Sequence, residues 1–167
     1  CKIFEKRVWD ANICTTPNCK VKFQGEALPK TSFEAYAKMH EGVTDVCSVT
    51  TDRWSVCIGP SDNGLEQVSF VNGISTTKGG THVDHVASYL AAGIIDEMAK
   101  KIKLKPQQVK NTFNIFVKAT LENPTFSSQV KSECTSKAQD FGSKFEPPKN
   151  FVKNALKTGI QDELTAL

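Results

Sequence analysis

The sequence predicts a mixed α/β domain whose helices cover one face of a sheet. Three observations carry this. Short β-rich runs bounded by turn residues fill residues 20–72. An amphipathic segment at 81–98 keeps a helical period. A later run at 109–121 is apolar on both of its alternating faces, as a central strand is. At 167 residues the chain suits one domain and can bury one core without cross-links.

The elements follow in order. In CKIFEKRVWDAN (1–12), Ile3, Phe4, Val8 and Trp9 fall at helical spacing, which predicts the tail of a helix. After a turn-rich stretch, KVKFQ (20–24) alternates as a short strand and Gly25 closes it. Thr31-Ser32-Phe33-Glu34 forms a capping-box pattern ahead of a helix at 35–39. The runs 47–50 and 53–58 flank Thr51-Asp52 as a hairpin. A turn follows at 59–64 (GPSDNG), then a strand at 66–72.

Gly79-Gly80 breaks the chain, and Thr81 is the expected cap of a long helix. Val83, Val86, Ala87, Leu90, Ile94, Ile95 and Met98 make its apolar stripe. This helix is expected to run into the lysine segment 100–105 and to stop at Pro106. A helical turn at 106–110 leads into the central strand, with Phe113, Ile115 and Val117 on one face. Residues 124–148 form a long polar loop, a feature that is usually functional. Helical spacing returns over 149–164 at Phe151, Val152, Ala155, Leu156, Ile160 and Leu164.

Composition narrows the class. Apolar residues make up 39% and charged residues 23%, which is ordinary globular usage and argues against disorder. A net charge of +3 permits nucleic-acid contact without arguing for it. Six cysteines at irregular intervals read as reduced thiols of an intracellular protein. Cys14 and Cys19 are too far apart for a zinc knuckle, and no second pair follows. No apolar run reaches the roughly 18 residues of a membrane span. With no secretory signal and no initiator Met, the chain reads as a stretch from inside a longer polypeptide.

Several segments invite chemistry. EQVSFVNGISTTKGGTHVDH (66–85) ends in two glycines before a helix, where free N–H groups and the dipole attract anions. It lacks both phosphate-loop glycine patterns, so a structural turn is the stronger reading. His82 and His85 share a helix face, but no third ligand lies nearby and no metal site is predicted. Lys100, Lys101, Lys103 and Lys105 suit both a solvated helix end and sequence-independent phosphate contacts. Gln129 and Lys131, two apart on the long loop, point the same way if the loop is extended there. A lysine ammonium is a compact charge that reaches a terminal phosphate. Asp96-Glu97 and Asp162-Glu163 diverge by about 100° on their helices and form no converging carboxylate pair.

SFVNGISTTKGGTHVDHV (69–86), QVKNTFNIFVKATLENPTFSSQVK (108–131) and FGSKF (141–145) together resemble the transducer domain in the ATPase region of eukaryotic-type type IIA DNA topoisomerases. Weaker similarity extends over KVKFQGEALP (20–29) and DRWSVCIG (52–59), so the resemblance spans nearly the whole chain in order. It implies a two-layer α/β sandwich, with a mixed sheet and a left-handed βαβ crossover against the usual hand. It implies that residues 1–12 are the tail of a preceding ATPase domain and 13–167 the transducer domain. ATP and Mg2+ are then held mainly by that preceding domain, and DNA is cleaved further along the chain.

The family's Gln-Thr-Lys loop motif falls on Gln129, Val130 and Lys131. The resemblance implies that Lys131 contacts the γ-phosphate, with Gln129 assisting, and that loss of that phosphate frees the transducer to rotate. Val130 departs from the usual Thr. A lysine loop that touches transported double-stranded DNA falls on Ala99, Lys100 and Lys101, with Lys103 in place of the missing lysine. The implied enzyme is a nuclear homodimer, or a cytoplasmic one if viral. A second reading is a stand-alone module that binds DNA through the lysine loop.

Overall fold

The computed structural model describes residues 2–166. Strand β1 (Lys22–Phe23) pairs with β2 (Glu26–Ala27) across Gln24 and Gly25, both at positive φ. Strands β3 (Cys47–Thr50) and β4 (Trp54–Pro60) pair antiparallel across the Thr51-Asp52 turn, as their patterns predict. The turn expected at 59–64 starts later, because β4 continues to Pro60. A Cβ on Gly59 would lie 2.5 Å from the Asp45 carbonyl, so only glycine fits there.

Strand β7 (Phe113–Ala119) is central, as both of its apolar faces predict. It lies antiparallel to β4 and parallel to β5 (Gln67–Val71). A short β6 (Ile74–Ser75) folds back on β5 through Asn72 (φ 50°) and Gly73 (φ 80°), the left-handed pair that a tight hairpin needs. The sheet order is therefore β3-β4-β7-β5-β6, mixed in direction.

The parallel connection from β5 to β7 runs through α3 (Thr81–Met98) and α4 (Pro106–Lys110). Gly80, not Thr81, is the N-cap of α3. The lysine segment lies beyond the helix, whose C-cap is Ala99. Pro106 opens α4 rather than stopping α3, in the first-turn position where its missing N–H costs nothing.

Period-2 alternation splits the core between the two sheet faces. Trp54, Val56, Ile58, Val71, Phe113, Ile115 and Val117 meet the apolar stripe of α3 together with α5 (Phe151–Ala155) and α6 (Gln161–Thr165). Each such fully buried large side chain stabilises the fold by about 1.5–3 kcal/mol. Between α5 and α6, the wide turn at Leu156–Ile160 breaks at Gly159 (φ 107°), a kink invisible in the periodicity of 149–164.

The expected helical layer is thus the thicker of two. On the opposite face, Cys57, Phe70 and Phe116 pack under α1 (Lys2–Cys14) and α2 (Phe33–Ala37). The N-cap of α2 is Ser32, whose Oγ accepts from the Ala35 amide at 3.1 Å, one residue later than the box pattern suggests. Helix α1 runs unbroken past residue 12, and Lys118 of β7 donates to the Ile13 carbonyl in its last turn at 3.2 Å.

Candidate functional site

The loop after β7 folds back on itself. Phe126 and Cys134 form an antiparallel bridge, and the Ser127 amide donates to the Glu133 carbonyl at 3.1 Å. The tip between them is a turn closed by the Lys131 amide on the Ser128 carbonyl at 3.0 Å. Gln129 and Val130 are its central residues, so the stretch is not locally extended as sequence spacing assumed. The turn replaces side-by-side projection with a corner. Val130 is 82% exposed there. Lys131 sits in the left-handed region at φ 56°, which a lysine adopts only at a cost. Lys131 makes no salt bridge among the described residues.

The returning segment of this loop meets the two glycines. The Lys78 amide donates to the Ser132 carbonyl at 2.9 Å, Cys134 to Gly79 at 3.1 Å, and Thr81 to Cys134 at 3.0 Å. The first amide of α3 therefore has an acceptor within the protein, which takes that donor away from the anion cradle considered for Gly79-Gly80. Separate sequence motifs gave no sign of this contact. Its one local trace is the glycine pair, at φ 72° and φ 126°.

The two histidines part company. His82 is fully buried, with Nε2 3.3 Å from Thr76 Oγ1 and no partner at Nδ1 among the described residues. Burial pushes its pKa down to about 4. His85 instead packs beside the rings of Trp54 and Phe141, at centroid distances of 6.2 and 5.7 Å, and burial lowers its pKa as well. Among the described residues no three His, Cys, Asp or Glu side chains converge. Cys14, Cys19, Cys47, Cys57 and Cys134 are free thiols, and burial pushes Cys57 up to about 12.

The lysine run lies at the far end of α3. Eighteen helical residues separate it from Gly80, about 27 Å at 1.5 Å per residue. Ile102 and Leu104 pack against the core, while Lys101, Lys103 and Lys105 between and beside them are exposed, as is Lys100. None of these four lysines makes a salt bridge among the described residues. The turn that carries Gln129 and Lys131 thus belongs to the loop bound at the start of α3, and Lys100, Lys101 and Lys103 lie beyond its other end.

FGSKF (141–145) fills the core beside Trp54. Phe141 and Phe145 stand 5.7 and 6.0 Å from its ring, and Trp54 Nε1 donates to Ser143 Oγ at 2.9 Å. The segment thus packs the core through its two phenylalanines.

Comparison with known proteins agrees with this architecture. DNA topoisomerase 2-alpha of Gallus gallus is 39% identical over 163 residues, which cover 90% of this chain and 10% of that protein. DNA topoisomerase 2 of Acanthamoeba polyphaga mimivirus is 37% identical over 177 residues, covering 98% of this chain and 14% of that protein. The ATPase region of Saccharomyces cerevisiae topoisomerase II superposes with a TM-score of 0.87 at 32% identity, over 98% of this chain and 44% of that one. The chain therefore corresponds to a minor part of each relative's length. The family described as DNA gyrase B matches residues 23–163, and the chain belongs to that family.

Proposed function

We propose that this chain is the transducer part of an ATP-dependent type II DNA topoisomerase. It couples ATP binding and hydrolysis in a neighbouring domain to motion of the gate through which double-stranded DNA passes. In this reading residues 1–12 continue from the ATPase domain and 13–167 form the transducer. The observation that carries it is the Lys131 turn: a cation without an ion pair among the described residues, on an exposed loop tip and held in a strained backbone state.

Such a cation fits the terminal phosphate of ATP, where charge builds as the phosphoryl group transfers. Gln129 would assist at the same phosphate as a neutral donor. Val130, with its side chain in solvent, offers mainly its backbone. ATP supplies the phosphate whose loss releases the Lys131 contact, and the freed loop lets the transducer turn. In this reading Mg2+ is held alongside the nucleotide, mainly by the preceding domain.

Lys100, Lys101 and Lys103 would meet the phosphates of the transported duplex, which require charge rather than geometry. The assembled enzyme is a homodimer that works in the nucleus, or in the cytoplasm if it is viral like the mimivirus relative. Lys131→Ala in the full-length polypeptide tests the reading. ATP hydrolysis and strand passage should fall about a hundredfold, while DNA binding without ATP stays intact. Unchanged hydrolysis would remove Lys131 from the phosphate.

A further inference from the structure

We propose that Gly80 is a positioning residue for Lys131. Its bare backbone lets the returning segment of the loop lock onto the first turn of α3, and that contact fixes where the lysine stands. The inference rests on the reading of Lys131 as the terminal-phosphate contact.

The contact tolerates no side chain. A Cβ on Gly80 would meet the carbonyl oxygen, amide nitrogen and carbonyl carbon of Cys134 at 2.1, 2.6 and 2.9 Å. These are backbone atoms that cannot rotate away. The φ of 126° at Gly80 is itself closed to other residues. The hydrogen bonds from Lys78, Thr81 and Cys134 sit at this same point. Lys131 is three residues along the chain from Cys134, and the tip's own hydrogen bonds close within the loop. The tip thus takes its position from its base, and the base takes its position from α3.

Displacing the Cys134 backbone by an ångström or more moves the Lys131 turn by a comparable amount. Misplacement on that scale costs up to about a hundredfold in rate, even when the altered residue touches no reactant. Gly80→Ala is therefore expected to act on hydrolysis through Lys131 and through nothing else.

The test is a double-mutant cycle on ATP hydrolysis in the full-length polypeptide that carries this chain. Gly80→Ala should lower kcat about tenfold or more, leave KM within about twofold, and add nothing further to Lys131→Ala. Losses that multiply independently, or wild-type kcat in Gly80→Ala, overturn the positioning role and leave the phosphate reading intact. Wild-type hydrolysis in Lys131→Ala alone overturns both. Amide protection along α3 reports whether Gly80→Ala keeps the helix folded. If it does not, Cys134→Pro takes its place in the cycle: a loss absorbed by Lys131→Ala supports the positioning role, and an independent loss or none overturns it. Cys134→Pro removes the amide bonded to Gly79 from the loop side and leaves the sequence of α3 unaltered.

Discussion

The hydroxyl of Tyr36 donates to Asp10 Oδ1 at 2.6 Å, across the junction of α2 and α1. Both residues are nearly buried, at 2% and 5% exposure, and Lys6 adds a 3.0 Å contact to the same carboxylate. A carboxylate this deep needs each of its partners. Burial and the hydrogen bond to Asp10 both push the Tyr36 phenol upward in pKa, so it keeps its proton to donate. Tyr36→Phe preserves the ring and deletes that donor. It should destabilise the fold by about 2 kcal/mol, the range of a hydrogen bond to a charged group, as measured by urea unfolding.

His82 makes stability depend on acid. Its pKa is pushed down to about 4 in the folded state, against 6.5 for the free side chain, so the unfolded chain binds the extra proton. The stability associated with a neutral His82 is fully present above about pH 6.5 and is lost as pH falls towards 4. His85 and His40 are shifted in the same direction, chiefly by burial, and add to the trend. Moving from about pH 7 to about pH 5 should cost on the order of 2 kcal/mol from His82. Urea unfolding at several pH values measures the slope, and His82→Gln should flatten it whatever its own effect on stability.

Much of this architecture is legible in the residues because its causes are local. The 3.6 period of α3 and the doubly apolar β7 are patterns of neighbours along the chain, and both elements form where those patterns lie. The misses have tertiary causes. Ser128-Gln129-Val130-Lys131 contains no Gly, Pro, Asn or Asp, so Ser128 is the one residue in it that favours a turn. What bends it is the bridge from Phe126 to Cys134 beneath it. Gly80 reads as a chain break ahead of the helix, yet its conformation answers to Cys134, fifty-four positions along the chain. Pro106 reads as a stop because a proline breaks a helix interior. Here it stands at a helix start, where the same geometry is favourable.

The lysine run yields a salt-dependence prediction. Each lysine that meets a DNA phosphate releases condensed counterions, worth about 0.9 in the slope of log K against log salt. Lys100, Lys101 and Lys103 are exposed and free of internal ion pairs among the described residues. Changing all three to Gln should flatten that slope by up to about 2.7 for a duplex bound at this surface. A salt titration of duplex affinity in the full-length polypeptide measures it. An unchanged slope would leave these lysines as a solvated helix end.

Val130 offers the narrowest test of how the loop works. The resemblance to the topoisomerase loop motif implies a Thr at this position, so the question is whether a hydroxyl is missing or merely unneeded. The turn closes through backbone atoms of Ser128 and Lys131, and the Val130 side chain is 82% exposed. Neither the bend nor the φ of 56° at Lys131 depends on what Val130 carries beyond Cβ. Val130→Thr should therefore change stability by less than about 0.5 kcal/mol, as surface substitutions do. Hydrolysis by the full-length polypeptide should stay within about twofold of the parent. Rate measurements on Val130→Thr and Lys131→Ala side by side separate charge from hydroxyl. A gain of about tenfold in Val130→Thr would mean that the hydroxyl joins the phosphate contact and that the valine has weakened nucleotide coupling in this protein.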